Sequence, residues 1–250
     1  MLKIENLNKS FGGVKATSDV SMNFPAGSLT AVIGPNGAGK TTFFNLVSGA
    51  IRPDSGRIFL DGENIAGQPA EVIVKKGLGR AFQVAQLFPT LTVEQTLCGA
   101  LASMLGQSSR MIGQFPSPIL RDQVHEVMEQ LQLVDKAKVI SGQLSHGDQK
   151  LLDIALALAL KPKVLLLDEP IAGMGPEERQ RMIDTVYALW ESSDLTVVLI
   201  EHDMEIVFRV SQNIYVLSYG QVLAYGTPDD IRNNPDVIES YLGKPKEVVA

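Results

Sequence analysis

Gly34-Pro35-Asn36-Gly37-Ala38-Gly39-Lys40-Thr41 lies between the apolar run SLTAVI and the segment TTFFNLV. These eight residues fit GxxxxGK[ST], and the flanking runs predict the strand-loop-helix setting in which that pattern has meaning. Glycines at 34, 37 and 39 let the backbone curl so that several N–H groups point inward, and the N-terminus of the following helix adds partial positive charge. A nest of that kind suits phosphate. Lys40 is expected to reach the β- and γ-phosphates of a nucleoside triphosphate as a point charge. The Thr41 hydroxyl is expected to ligate Mg²⁺, and Thr42 to meet the α-phosphate. The competing reading is a Gly-rich turn that only caps a helix.

Working outward, KVLLLD before Glu169 and LTVVLI before Glu201 are two further apolar, strand-like runs, each followed by a segment with helical features. Alternation of this type reads as βαβ units around a buried, mainly parallel sheet. The N-terminal pieces LKIENLNKSF, DVSMNF and GRIFLDG, separated by Gly, Pro and Asn, predict a small antiparallel β layer. From about 93 to 160 strand signals vanish, and LRDQVHEVMEQLQLV has the apolar spacing of a helix with one buried face. The expectation is a single α/β P-loop domain over 1–250, with an inserted helical subdomain at about 93–160. Within it, GQSSRMIGQFPSP reads as a surface loop.

The run Val164-Leu165-Leu166-Leu167-Asp168-Glu169-Pro170 puts two carboxylates at the C-terminal end of a buried strand, where open α/β sheets bind ligands. Asp168 is expected to hold Mg²⁺ through water, and Glu169 to orient or deprotonate the attacking water. The alternative is two solvated acids before a turn-forming proline.

Composition narrows the partners. A net charge of -6 offers no overall positive field, so nucleic acid is not an expected partner. The single cysteine, Cys98, cannot form an internal disulfide, which points to a reducing compartment. The first residues, MLKIENLNKS, do not read as a signal peptide. The most apolar stretch, Ile154 to Leu160, is too short to span a bilayer, so a chain soluble by itself is expected.

Together these residues resemble the nucleotide-binding subunits of ATP-binding cassette (ABC) transporters over nearly the whole chain. Several site roles follow from that resemblance alone. Gln83 resembles the glutamine that links Mg²⁺ and the attacking water to the transmembrane partner. Leu144-Ser145-His146-Gly147-Asp148 is similar to the signature that contacts ATP bound to the opposite subunit, through Ser145 and Gly147. His202 resembles the switch histidine near the γ-phosphate, Phe11 the ring that stacks on adenine, and Glu169 the catalytic glutamate.

Each has a plainer alternative: Ser145 with Asp148 as a capping box, His202 as a strand-end residue, Phe11 as core. Two departures stand out: His146 and Asp148 replace the usual Gly and Gln of the signature, and Ile171-Ala172-Gly173-Met174-Gly175-Pro176 lacks the aspartate usual after the glutamate. An imidazole at 146 suggests pH-sensitive turnover. The missing aspartate, with IEHDM and GTPDDIRNNPDVIESYLG, resembles cassettes that import branched-chain or other hydrophobic amino acids, with urea and amide importers close by.

The resemblance implies ATP and Mg²⁺ as cofactors and a homodimer, or a heterodimer with a similar ATPase, that closes on two ATP molecules. It also implies membrane permease subunits and, indirectly, an extracytoplasmic substrate-binding protein as partners. The expected location is the cytoplasmic face of the inner membrane. QVAQLFPTLT, Gln83 to Thr92, is expected to receive a permease helix. A soluble ABC-type ATPase of DNA repair or translation, and a P-loop kinase or GTPase, are the competing classes.

Overall fold

Runs of five apolar or β-branched residues that bury both faces have to be central strands, and three of them organise this protein. The computed structural model describes residues 1–82, 88–104 and 116–242. In chain order its elements begin with β1 (Leu2–Phe11), β2 (Val14–Phe24), β3 (Leu29–Ile33), α1 (Lys40–Val47), β4 (Ser55–Leu60), β5 (Glu63–Asn64) and α2 (Ala70–Lys75). Next come β6 (Leu78–Ala81), α3 (Val93–Met104), α4 (Pro118–Gln130), α5 (His146–Ala159), β7 (Val164–Asp168) and α6 (Pro176–Glu191). The last group is β8 (Thr196–Ile200), α7 (Met204–Val210), β9 (Asn213–Ser218), β10 (Gln221–Gly226), α8 (Pro228–Arg232) and α9 (Pro235–Leu242).

Contacts divide the chain into two compact units, one formed by residues 1–76 with 195 onward, the other by 77–194. In the first, β2-β1-β4-β5 form an antiparallel sheet, as the Gly- and Asn-punctuated N-terminal segments predict. The same unit carries the strand order β10-β9-β3-β8, with β3 parallel to both β8 and β9 and β10 antiparallel to β9. Every residue of β3 and β8 is buried, which explains why SLTAVI and LTVVLI read as continuous apolar runs. Ala31, Ile33, Val207, Ile214, Val216, Ile231 and Val237 make one core cluster there. The β9–β10 hairpin turns on Tyr219 and Gly220, both at positive φ, a two-residue turn whose twist matches that of its strands.

In the second unit β6 and β7 run parallel, with Arg80 opposite Leu166 and Ala81 opposite Leu167. Its helices α3, α4 and α5 occupy the span in which strand signals are absent, separated by two short 3₁₀ turns. α4 starts two residues earlier than its apolar spacing alone suggests, because Ser117 caps it and Pro118 opens it; the Ser117 hydroxyl accepts from Leu120 N–H. Residues 105–115, most of the Gly/Ser/Pro-rich segment, lie outside the described residues. Among the described residues no helix is long and apolar enough to cross a membrane.

Candidate functional site

The glycine spacing of the 34–41 loop is enforced by backbone on the far side of it. A Cβ on Gly34 would stand 2.2 Å from the Leu217 carbonyl oxygen, and one on Gly39, at φ 102°, 2.2 Å from that of Ala16. Gly39, which has no side chain, stands at the N-cap of α1, where no side-chain cap hydrogen bond is made. The helix therefore opens on an anion-binding end. Thr41 is exposed and Thr42 half-buried. Asn36 and Gly37 are exposed, whereas Ala38 is buried and donates its N–H to the Pro35 carbonyl at 3.1 Å.

Lys40 is buried, and its ammonium donates to the Gly34 carbonyl at 2.6 Å and to that of Pro35 at 3.1 Å. A buried cation requires acceptors, and here the loop itself supplies them. Those carbonyls are weaker partners than phosphate oxygens, to which charge-assisted bonds are roughly twice as strong as neutral ones. The loop, the uncapped helix and Lys40 thus fit a polyphosphate.

His202 belongs to this same unit. Val32 pairs with Ile200 across β3 and β8, so Gly34 and His202 each stand two residues past a paired position at the same end of the sheet. His202 is exposed, with its N–H donating to Glu201 Oε2 at 3.1 Å. Phe11 closes β1 and is 49% exposed, with the Lys9 ammonium 5.5 Å from its ring centre. That exposure removes the core alternative and leaves a ring face for a ligand.

In the second unit, β7 delivers Asp168 to its own C-terminal end, buried, with Glu169 half-buried one residue later. Arg80 on the neighbouring strand donates through Nη2 to Asp168 Oδ2 at 2.8 Å, both side chains being nearly inaccessible. Glu169 adopts a left-handed backbone, φ 50°, uncommon for a residue with a side chain and typical of strained functional positions. The two acids are therefore not a solvated strand end. Among the described residues no group of three acidic, His or Cys side chains forms a metal cage. Mg²⁺ keeps waters and binds through few protein oxygens, so a single buried carboxylate such as Asp168 suits it without a cage.

Ser145 caps α5, its hydroxyl accepting from Asp148 N–H at 3.2 Å. Ser145 and His146 are exposed, whereas Gly147 is buried, with Glu178 of α6 3.3 Å from where a Cβ would stand. The Asp148 carboxylate does not complete a capping box. It pairs with Lys136 at 2.7 Å and with Arg181. Burial would raise its pKa, but hydrogen bonds from Lys136, Arg181 and Ser145 hold it below the ordinary carboxylate value. The acid that replaces the usual Gln is thus neutralised locally. His146 Nε2 lies 3.1 Å from the Ala172 carbonyl, tying the substituted signature position to the loop after Glu169.

Gln83 and the stretch through Leu87, including Val84, lie outside the described residues. Of the predicted docking cluster, Phe88 is 56% exposed and Leu91 half-buried. Four functional candidates escape sequence reading: Arg80, Lys150, Asp153 and Tyr241. The first three carry one shared signal, a charged residue inside an otherwise apolar strand or helix. Tyr241 packs against the core cluster that contains Ile33, next to the phosphate loop. Burial pushes its hydroxyl up to about 12, against a smaller opposing effect of the Gly34 N–H.

Residues 17–172 match the ABC transporter family, and residues 221–247 match a branched-chain amino acid ATP-binding cassette transporter family. The chain is 39% identical to the high-affinity branched-chain amino acid transport ATP-binding protein BraF of Pseudomonas aeruginosa, over 98% of each protein. It is 37% identical to LivG of Escherichia coli, again over 98% of each. Among solved structures, an ATP-binding cassette of an ABC transporter in its ADP conformation superposes with a TM-score of 0.86 at 30% identity, covering 98% of this chain and 99% of that one. A bacterial ABC transporter cassette solved as a dimer gives 0.78 at 25% identity, covering 91% and 99%. Matched by the family over residues 17–172 and by relatives over nearly its full length, the chain belongs to the ABC transporter family as one of its ATP-hydrolysing, ATP-binding cassettes.

Proposed function

We propose that this ATPase energises an importer of branched-chain or other hydrophobic amino acids, by closing with a second cassette on two Mg²⁺·ATP molecules. The observation that carries the nucleotide half of this reading is the preformed cradle: an uncapped α1 terminus with Lys40 folded onto the loop carbonyls. Support for the substrate class comes from the 221–247 segment and from the transport names of the full-length relatives. The same names weigh against a soluble ATPase of DNA repair or translation.

In this cycle Gly34 to Thr42 hold the phosphates, and Phe11 stacks on adenine. Lys40 exchanges its carbonyl acceptors for β- and γ-phosphate oxygens. Thr41, Gln83 and Asp168 would hold Mg²⁺, which would supply charge neutralisation for phosphoryl transfer. Glu169 accepts a proton from the attacking water, and His202 stands at the γ-phosphate. Ser145 and Gly147 meet the ATP held by the partner cassette, so that nucleotide forms part of the interface; hydrolysis reopens it. The permease receives this motion near Gln83 to Thr92, at the inner face of the membrane, and the extracytoplasmic binding protein supplies the substrate.

Glu169→Gln tests the scheme, since it slows hydrolysis while leaving nucleotide contacts in place. Size exclusion should show a dimer with ATP and Mg²⁺ and a monomer with ADP. A monomer under both conditions sinks the closure mechanism. Co-purification of the wild type with permease subunits of an amino acid importer, identified by mass spectrometry, tests the assignment of substrate class.

A further inference from the structure

α5 is apolar along most of its length, yet Lys150 and Asp153, about one turn apart, are 3% and 5% exposed. Burying an ammonium and a carboxylate costs several kcal/mol per ion unless partners are supplied, on the order given by measured and calculated desolvation penalties. Both reach the backbone of one residue, Phe82. Asp153 Oδ2 accepts from Phe82 N–H at 2.7 Å, and Lys150 Nζ stands 3.4 Å from the Phe82 carbonyl oxygen and 3.5 Å from that of Glu169. The last two are long for an ammonium, as expected where one cation is shared between two carbonyls.

The side chain of Phe82 is held as well. The Arg80 guanidinium lies 4.9 Å from its ring centre while donating to Asp168 at 2.8 Å. Phe82 therefore has its N–H, its carbonyl and its ring all engaged by charged groups. It follows β6 directly and precedes Gln83, and Glu169 is the strained residue that follows β7. The helix providing the clamp is the one that Ser145 caps, about 7.5 Å along the axis from Lys150 at 1.5 Å per residue.

We propose that Lys150 and Asp153 are positioning residues that couple the N-terminal end of α5 to the placement of Glu169, through the backbone of Phe82 and the Glu169 carbonyl. A helix moves as a rigid rod, so a displacement of α5 when Ser145 engages the partner's nucleotide carries the Phe82 peptide and the Glu169 carbonyl with it. Misplacing a reacting group by about 1 Å is worth on the order of 100-fold in rate, so the clamp acts on turnover rather than on nucleotide affinity. This inference rests on the proposed closure cycle.

The test compares Lys150→Met with Lys150→Arg in the full chain. For Lys150→Met, kcat for ATP should fall about tenfold or more while KM for ATP stays within about twofold, and Lys150→Arg should recover most of the loss. Lys150→Met in a Glu169→Gln background should still give the ATP-dependent dimer. An unchanged kcat, or an equal loss in both variants that tracks a lowered Tm, overturns the clamp. Asp153→Asn provides a second measure by hydrogen exchange at the Phe82 amide. Exchange there should quicken about tenfold together with a fall in kcat, and faster exchange with wild-type kcat overturns the proposal. Absence of any ATP-dependent dimer in Glu169→Gln alone defeats the closure cycle instead, a result separate from the kcat comparison.

Discussion

Lys40 and Asp168 are both buried charges, and the protein satisfies them in opposite ways. The partners of Lys40 are carbonyls of its own loop, five and six residues earlier, which a small local movement releases. The partner of Asp168 is the Arg80 guanidinium, 88 positions away and fixed by the β6–β7 pairing. Local acceptors make an exchangeable cation, ready to move to phosphate. A guanidinium on an adjacent strand makes a carboxylate whose position is part of the fold. The difference teaches which charge can be removed at the expense of binding alone.

Arg80→Met should therefore have the largest effect on stability. It strands a buried carboxylate, for which loss of one partner costs about 3–5 kcal/mol, and urea unfolding should show a correspondingly lower midpoint. A loss below about 1 kcal/mol would erase the contrast drawn above. Lys40→Met is expected to spare folding to within about 1.5 kcal/mol while ATP affinity drops tenfold to a hundredfold, the range of about 1.5–3 kcal/mol for charged hydrogen bonds. Calorimetry with ATP and a melting curve on the same sample separate the two. If Lys40→Met destabilises as much as Arg80→Met, Lys40 is structural.

Phe11→Ala sharpens the comparison at an exposed group. With half its surface open, its loss should change folding by less than about 0.5 kcal/mol. ATP binding should weaken about fivefold, near the ~1 kcal/mol of an aromatic stack. The smallest effect is a pH dependence at Asp148. Its folded pKa lies below that of the unfolded carboxylate, so the ionised form favours the folded state. That contribution is complete above the unfolded value of about 4 and is lost as pH falls through the lower folded value. The melting difference between wild type and Asp148→Asn should hold from pH 7 to pH 5 and shrink below pH 4. A gap that persists at acid pH would remove Lys136 and Arg181 as its cause.

Legibility followed sequence distance. β3, β7 and β8 were readable because each is a buried run, and the phosphate loop because its eight residues match one contiguous pattern, although distant backbone at Ala16 and Leu217 is what enforces two of its glycines. The β9–β10 hairpin was not, since its turn is Tyr219-Gly220 rather than the Asn-Gly or Asp-Gly that marks such turns. Asp148 looked like an acid beside a phosphate site until Lys136 and Arg181 were seen to face it. Lys150 and Asp153 sit in the mostly apolar α5, and only their long-range partners at Phe82 and Glu169 give them a role.

What the sequence by itself determined was the chemistry: a backbone nest for phosphate, a lysine, two adjacent acids and a cappable helix N-terminus, because each depends on neighbours a few bonds apart. Tertiary structure alone decided which of those charges are exchangeable and which are locked. That choice turns on partners such as Arg80, delivered by strand pairing across 88 positions, and no local pattern encodes a desolvation cost met from so far away.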